Sequence, residues 1–307
     1  MFKRRCISVF ILILCMLFAG CSSKPALNET TTANSSSIGV SSLSKATEAS
    51  VSDYTYKNSV SNDTYKNDDI KFKENIVLGK KSEGKPDVGK VAYLTFDDGP
   101  SKTNTAAVLD ILKKYNIKAT FFIVGQLAQE GPELVRRESE EGHFICNHSF
   151  SHDYKVLYSS PKNFMAEIKK CDNILSSVLG DKYTSKVVRF PGGYFSKKLD
   201  PYAELLGKEG YKYINWDTEN NDGTANNIPV EKLVGYLKTQ FDQNEEIGHK
   251  KKVVILMHDG YRKETTVKAL PQIIDYLISK NFSFDTLEKL SNETKSTNIL
   301  PKFEYAP

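Results

Sequence analysis

From residue 90 onward the sequence predicts an α/β fold built on a mostly parallel sheet. Three observations carry this. Short apolar runs of strand type alternate with amphipathic stretches of helical period, prolines stand where several of those helices would begin, and the chemically capable residues fall just past strand ends.

The first strand is expected at 91–96, Val-Ala-Tyr-Leu-Thr-Phe, a run too short to be a helix. Residues 105–115 then space Ala106, Val108, Leu109 and Leu112 on one helical face. Further strands are expected at 118–124, 143–146, 187–190, 211–216, 253–257 and 283–286, with helices between them at 132–141, 161–179, 200–209, 229–242 and 265–279. Pro132, Pro161 and Pro229 suit first helical turns, where the missing N–H would have no partner in any case. Seven strands and six helices in roughly 200 residues fit an open doubly wound sheet and a closed or distorted barrel equally well. No repeat at a fixed period is visible.

The segment before this domain has a different texture. Lys3, Arg4 and Arg5 precede an apolar run from Ile7 to Phe18, too short to cross a bilayer comfortably, and Ala19-Gly20-Cys21 follows. This is the pattern of a secretion signal, and small residues directly before a Cys resemble a bacterial lipobox, so lipidation at Cys21 is expected. Residues 22–50 hold thirteen Ser or Thr and no aromatic residue, the composition of a tether. The expected organisation is a signal peptide at 1–20, lipidated Cys21 with a flexible linker over 21–85, a catalytic domain at 86–290, and a tail at 291–307. The formal charge of +4 drops to +1 once the three basic residues of the signal are removed. Such a near-neutral chain is a poor candidate for broad binding of a nucleic-acid backbone, which needs clustered Lys and Arg to displace counterions. Cys6 and Cys15 leave with the signal, so Cys146 and Cys171 are expected as buried thiols and not as a disulfide framework.

Five polar clusters fall past the C-terminal ends of the expected strands: Asp97-Asp98, His148 with His152, Arg189 before Pro191-Gly192-Gly193, Asp222, and His258-Asp259. That edge is where parallel α/β folds assemble sites. Each cluster has a bland alternative. Asp97-Asp98-Gly99-Pro100 could be an ordinary tight turn, the two histidines simple loop residues, Arg189 a surface residue and His258 a satisfied core residue. Those alternatives would have to hold five times at one sheet edge. Two imidazoles and one carboxylate make a common three-ligand zinc set with an open position. One Asp would remain as a base and a distant His as an acid, a complete kit for metal-assisted hydrolysis.

Thr95-Phe96-Asp97-Asp98-Gly99-Pro100, His148-Ser-Phe-Ser-His152, Arg189-Phe-Pro191-Gly-Gly193 and Leu256-Met-His258-Asp259 resemble four of the five signature motifs of the polysaccharide deacetylases, carbohydrate esterase family 4 with its NodB-homology domain. The similarity runs from about residue 90 to 287 in the family's order. It implies a distorted (β/α) barrel of about seven parallel strands, and hydrolysis of N-acetyl groups on β-1,4-linked amino sugars. It also implies Asp98, His148 and His152 as ligands of one divalent ion, Zn2+ in the first instance and Co2+ or another ion as an alternative. Asp97 would be the base, held by Arg189, and His258 the acid, oriented by Asp222. Leu256 would line the acetyl pocket and the Gly192 N–H would face the oxyanion.

Two departures stand out. Gly223 occupies the position where the fourth motif commonly has Trp after Asp222, so a pocket wall is missing or supplied by another residue such as Tyr194 or Tyr261. Gly192 replaces a frequent Tyr, as in relatives acting on bacterial peptidoglycan. The resulting expectation is an enzyme tethered to the outer face of a bacterial membrane that deacetylates N-acetylglucosamine of peptidoglycan. Alternatives are an O-acetyl esterase on xylan or another polymer, a chitooligosaccharide deacetylase, and, in a different class, a wall-binding protein without catalysis.

Overall fold

The computed structural model describes residues 89–244, 247 and 251–299. The expected signal and linker, Cys21 among them, lie outside the described residues. So does the chain end at 300–307.

Strands and helices alternate along the domain. In order they are β1 (Lys90–Gly99), α1 (Asn104–Tyr115), β2 (Thr120–Ile123), α2 (Gly125–Glu130), α3 (Pro132–Glu140), β3 (Phe144–Asn147), α4 (Tyr154–Leu157), α5 (Pro161–Leu179), β4 (Val187–Val188), α6 (Asp200–Lys208), β5 (Lys212–Tyr213), β6 (Thr218–Glu219), α7 (Val230–Gln243), β7 (Lys252–His258), α8 (Glu264–Ser279), β8 (Phe282–Phe284) and α9 (Leu287–Glu293). The order across the sheet is β5-β4-β3-β2-β1-β7-β6, with β8 also on β1. Every pairing is parallel. β7 accompanies β1 over Val91–Asp97, so β8 along the lower part of β1 and β2 along its upper part share the opposite edge.

The local reasons for the helices are plain. In α5 the Ser160 hydroxyl accepts the Asn163 N–H at 3.1 Å, and Pro161 opens the first turn. Phe164, Ile168, Cys171, Leu175 and Leu179 then bury one stripe, and Gly180 ends the helix at positive φ. All six expected helices form. The three short ones, α2, α4 and α9, were not expected, because four to seven residues are too few to display a helical period.

The strand expected at 211–216 is corrected. Only Lys212 and Tyr213 pair with β4, and Thr218–Glu219 form a separate strand on β7. Ile214 N–H still bonds Val188 O (3.1 Å), whereas Asp217 N–H bonds Val254 O (2.9 Å). Three Cα-to-Cα steps therefore carry the chain between the two ends of the sheet order, a span of roughly 10 Å at most. The sheet has curled until its edges nearly meet, which makes it a distorted barrel and not an open sheet.

Alternation along the strands then divides the core. Leu94, Phe96, Phe121, Ile123, Ile145, Val253, Ile255 and Met257 face outward against the helices. Tyr93, Phe122, Cys146, Val187 and Val254 face inward, where Leu287 and Ile299 join them as the barrel floor. Ile299 is buried and Asn298 bridges Tyr213. Residues 291–299 thus stay with the barrel.

Candidate active site

The mouth of the barrel is set by one irregularity in β1. Asp97 pairs with Phe122 and Gly99 with Ile123, which leaves Asp98 as an extra residue, at φ 69°. Strict alternation would send neighbouring carboxylates to opposite faces. The bulge sends both into the barrel mouth. There His148 Nε2 lies 3.6 Å from Asp97 Oδ2 and 3.5 Å from Asp98 Oδ1, and His152 Nε2 lies 3.3 Å from the same Asp98 oxygen.

His148 and His152 come from the loop after β3. Its anchor is Asn147, whose amide donates to Asp172 Oδ1 (2.7 Å) and Ile168 O (2.9 Å) while its oxygen accepts the Ser149 N–H (2.8 Å). Asp172 is itself held by Tyr183, Tyr211 and Lys186. Ser149 and His152 both adopt positive φ, a conformation that this anchoring sustains. With the Arg189 carbonyl accepting from His148 Nδ1 at 2.9 Å, Nε2 keeps its lone pair for the mouth.

The set fits a divalent cation. One donor atom from each of Asp98, His148 and His152 lies within 4.8 Å of the others. Asp98 Oδ1 is buried with no hydrogen-bond partner, an arrangement that is costly without an ion. Burial alone would raise Asp98, but the close approach of His148, with His258 and His152, holds it well below the usual carboxylate range. Burial and the charge of His148 lower His152, favouring the neutral ring that binds metal.

Arg189 is completely buried and makes a salt bridge to Asp97 Oδ1 at 2.8 Å. The same guanidinium donates to Thr95 Oγ1 (2.7 Å), Asn215 O (3.1 Å) and Ile214 O (3.3 Å), and it lies 4.1 Å from the Phe122 ring centre. Asp97 Oδ1 is thereby fixed, and Oδ2 is left beside the metal-ligand set.

His258 is the register partner of Asp97 on β7. Its Nδ1 bonds Asp222 Oδ1 at 2.6 Å, while Asp222 Oδ2 accepts the His258 N–H (2.9 Å) and the Thr266 hydroxyl (2.7 Å). Burial opposes the imidazolium, but the bond and charge of Asp222, joined by Asp98 and Asp97, raise His258 to about 9. The ring therefore carries its proton at neutral pH. Gly223 touches this ring: a Cβ there would sit 2.9 Å from Cε1.

Gly192 and Gly193 both have positive φ, and the Gly192 N–H has no partner among the described residues. Asn215 clamps this loop through the Tyr194 N–H (2.9 Å) and Tyr194 O (2.8 Å). Leu256, two residues before His258 on β7, shares its inward face. Tyr194 does not wall the pocket as expected: its ring packs on Phe190 and Tyr213 and its hydroxyl bonds Asp200. Tyr261 is exposed. Cys146 packs inward against Ser185, and Cys171 is likewise buried and free, as expected.

The expected metal-ligand, base, acid and supporting residues among those described come to this one mouth, whereas Tyr194 does not. The sequence reading missed Thr95, Asn147, Asp172, Asn215 and Thr266. Thr95 and Asn147 did carry a signal, since each is a polar residue in a strand of otherwise apolar neighbours.

Residues 84–213 match the polysaccharide deacetylase family model. A peptidoglycan-N-acetylglucosamine deacetylase of Bacillus cereus is 33% identical over 203 residues, which are 66% of this chain and 71% of that protein. The chain belongs to the polysaccharide deacetylase family. Among solved structures, a polysaccharide deacetylase from Bacillus cereus is 34% identical with a TM-score of 0.57, over 64% of this chain and 91% of that one. A carbohydrate esterase family 4 esterase from Streptococcus mutans is 29% identical with a TM-score of 0.59, over 64% and 86%. The Listeria monocytogenes peptidoglycan-N-acetylglucosamine deacetylase is 31% identical over 68% of this chain and only 40% of its own length. This polysaccharide deacetylase thus shares both sequence and fold with enzymes of its family.

Proposed function

We propose that this deacetylase is a divalent-metal hydrolase, most simply zinc-dependent, that removes acetyl groups from N-acetylglucosamine of peptidoglycan. The observation that carries the proposal is the pairing of an ion-sized donor set, Asp98, His148 and His152, with a separate carboxylate and a separate imidazole bound to a carboxylate at one barrel mouth. A bound divalent ion would supply Lewis acidity and lower the pKa of a coordinated water. Asp97, fixed by Arg189, takes a proton from the attacking water as its oxygen bonds the acetyl carbonyl carbon. The Gly192 N–H donates to the oxyanion that develops there, and Leu256 gives the acetyl methyl an apolar contact. His258 then protonates the amide nitrogen, the C–N bond breaks, and acetate and a free amine leave. Asp222 and Thr266 hold the imidazole for that transfer.

The substrate proposal is supported by the relatives from Bacillus cereus and Listeria monocytogenes, which are peptidoglycan-N-acetylglucosamine deacetylases by name. The test is mass spectrometry of muropeptides after treatment of peptidoglycan with residues 86–307, with and without chelator, alongside acetate release from an acetylated xylan. Loss of acetyl from glucosamine residues is expected. Acetate from xylan alone would replace the proposal by an ester substrate. We also propose a lipid anchor at Cys21 on the outer face of a bacterial membrane, supported by the basic start, short apolar run and Ala19-Gly20-Cys21. Cys21→Ala should abolish incorporation of labelled lipid and release the protein from the membrane fraction.

A further inference from the structure

Tyr154 begins α4, two residues after the metal-ligand candidate His152. Its ring stands edge-on to His152 with centres 5.5 Å apart, yet it is 51% exposed. It belongs to a run of contacting tyrosines whose other members are satisfied: Tyr158 donates to Pro191 O at 2.7 Å and Tyr202 donates to Tyr158 O at 2.8 Å. The Tyr154 hydroxyl makes no hydrogen bond among the described residues.

Its position against Gly192 is specific. A Cβ on Gly192 would lie 2.9 Å from the Tyr154 hydroxyl and 3.1 Å from Cε1. The phenol therefore occupies the space that any other residue at 192 would fill. Gly192 is needed twice, for its φ of +77° and for this close approach. Two donors without acceptors, the Gly192 N–H and the Tyr154 O–H, consequently belong to neighbouring residues, and the Tyr154 ring lies against His152.

We propose that the Tyr154 hydroxyl is a second hydrogen-bond donor to the substrate's acetyl carbonyl, acting beside the Gly192 N–H as negative charge develops on that oxygen. The inference rests on the deacetylase reading above. A carbonyl oxygen has two lone-pair directions, and a neutral phenol can donate along one while the backbone N–H uses the other. Donors placed for such an oxygen typically contribute 10²–10³ in turnover.

The test is Tyr154→Phe, which keeps the ring against His152 and removes only the O–H. In zinc-loaded protein, kcat should fall about 10²-fold with KM little changed. The loss should be equal on an N-acetylglucosamine oligomer and on a small acetyl ester, because both present the same carbonyl. Zinc content should match the wild type, and acetate, whose oxygens resemble the developing oxyanion, should bind more weakly by calorimetry. Unchanged turnover and acetate affinity would overturn the proposal, as would a loss confined to the oligomer, which would assign the hydroxyl to a sugar contact. A fall in zinc content would instead make Tyr154 a support for His152. Acetate binding needs no turnover. Wild-type protein that releases no acetate from any substrate would therefore defeat the functional reading, while the acetate measurement still decides whether the donor exists.

Discussion

Asp97 and Asp98 are the same chemical group one residue apart, and their surroundings assign them different work. Asp97 is tied to a buried guanidinium, whereas Asp98 Oδ1 is unpartnered between two imidazoles. Asp98→Asn should therefore lose zinc affinity. Asp97→Asn should keep the ion and lose about 10²–10⁴ in turnover, and metal content with acetate release on both variants checks the division. If Asp97→Asn loses the ion and Asp98→Asn keeps it, the roles are reversed. At His258 the linkage has a definite sign. Its folded value of about 9 lies above the ordinary imidazole value, so the charged pair with Asp222 is fully present below about 6.5 and is lost as pH rises through about 9. The alkaline limb of kcat/KM should follow that loss. A bound cation offsets the charges of Asp97 and Asp98, which places the limb somewhat below 9. Asp222→Asn should move it further toward the ordinary histidine value, and paired pH profiles of the wild type and variant measure the displacement.

At the scale of elements, the site depends on how two loops leave their strands. The loop after β1 is aimed by the bulge at Asp98 and tied down through Asp259, which accepts from Thr105 at 2.5 Å, while Ser101 donates to its carbonyl at 2.7 Å. The loop after β3 is aimed by Asn147, which links strand, helix α5 and the His148–His152 turn. Asn147→Ala should leave the fold intact and weaken zinc binding about 10–100-fold, the usual cost of removing a group that orients metal ligands. Competition with a chromophoric chelator measures it. If affinity is unchanged, the loop is held by its own backbone and not by Asn147.

For the whole molecule, the proposed ligands come from β1 and from the loop after β3, and these two strands lie on either side of β2 in the sheet. An ion held by all three ligands ties those loops together in the folded state only. Zinc at a hundredfold excess over its Kd should then stabilise the domain by about 2.7 kcal/mol. That corresponds to about 5–10 °C in Tm for a domain of this size. Calorimetry with zinc and with chelator checks it, and coincident melts would show that the ion does not bridge the loops.

The sequence by itself determined the alternation of strands and helices, the placement of polar clusters past strand ends, and, through four motifs, the family. These are local properties, carried by the spacing of apolar residues and by short runs such as Thr95 to Pro100. Strand and helix periodicity alone left an open and a curled sheet equally possible, and the family resemblance implied the curled form. The structure shows what makes it: Ile214 to Asp217 pass from a bond with Val188 near one sheet edge to a bond with Val254 near the other. The sequence did not supply Asn147, Asp172, Asn215 and Thr266, each of which bonds a group 21 to 44 residues away. Periodicity would have separated Asp97 from Asp98. Only the bulge, defined by pairing with β2, brings both carboxylates to one mouth.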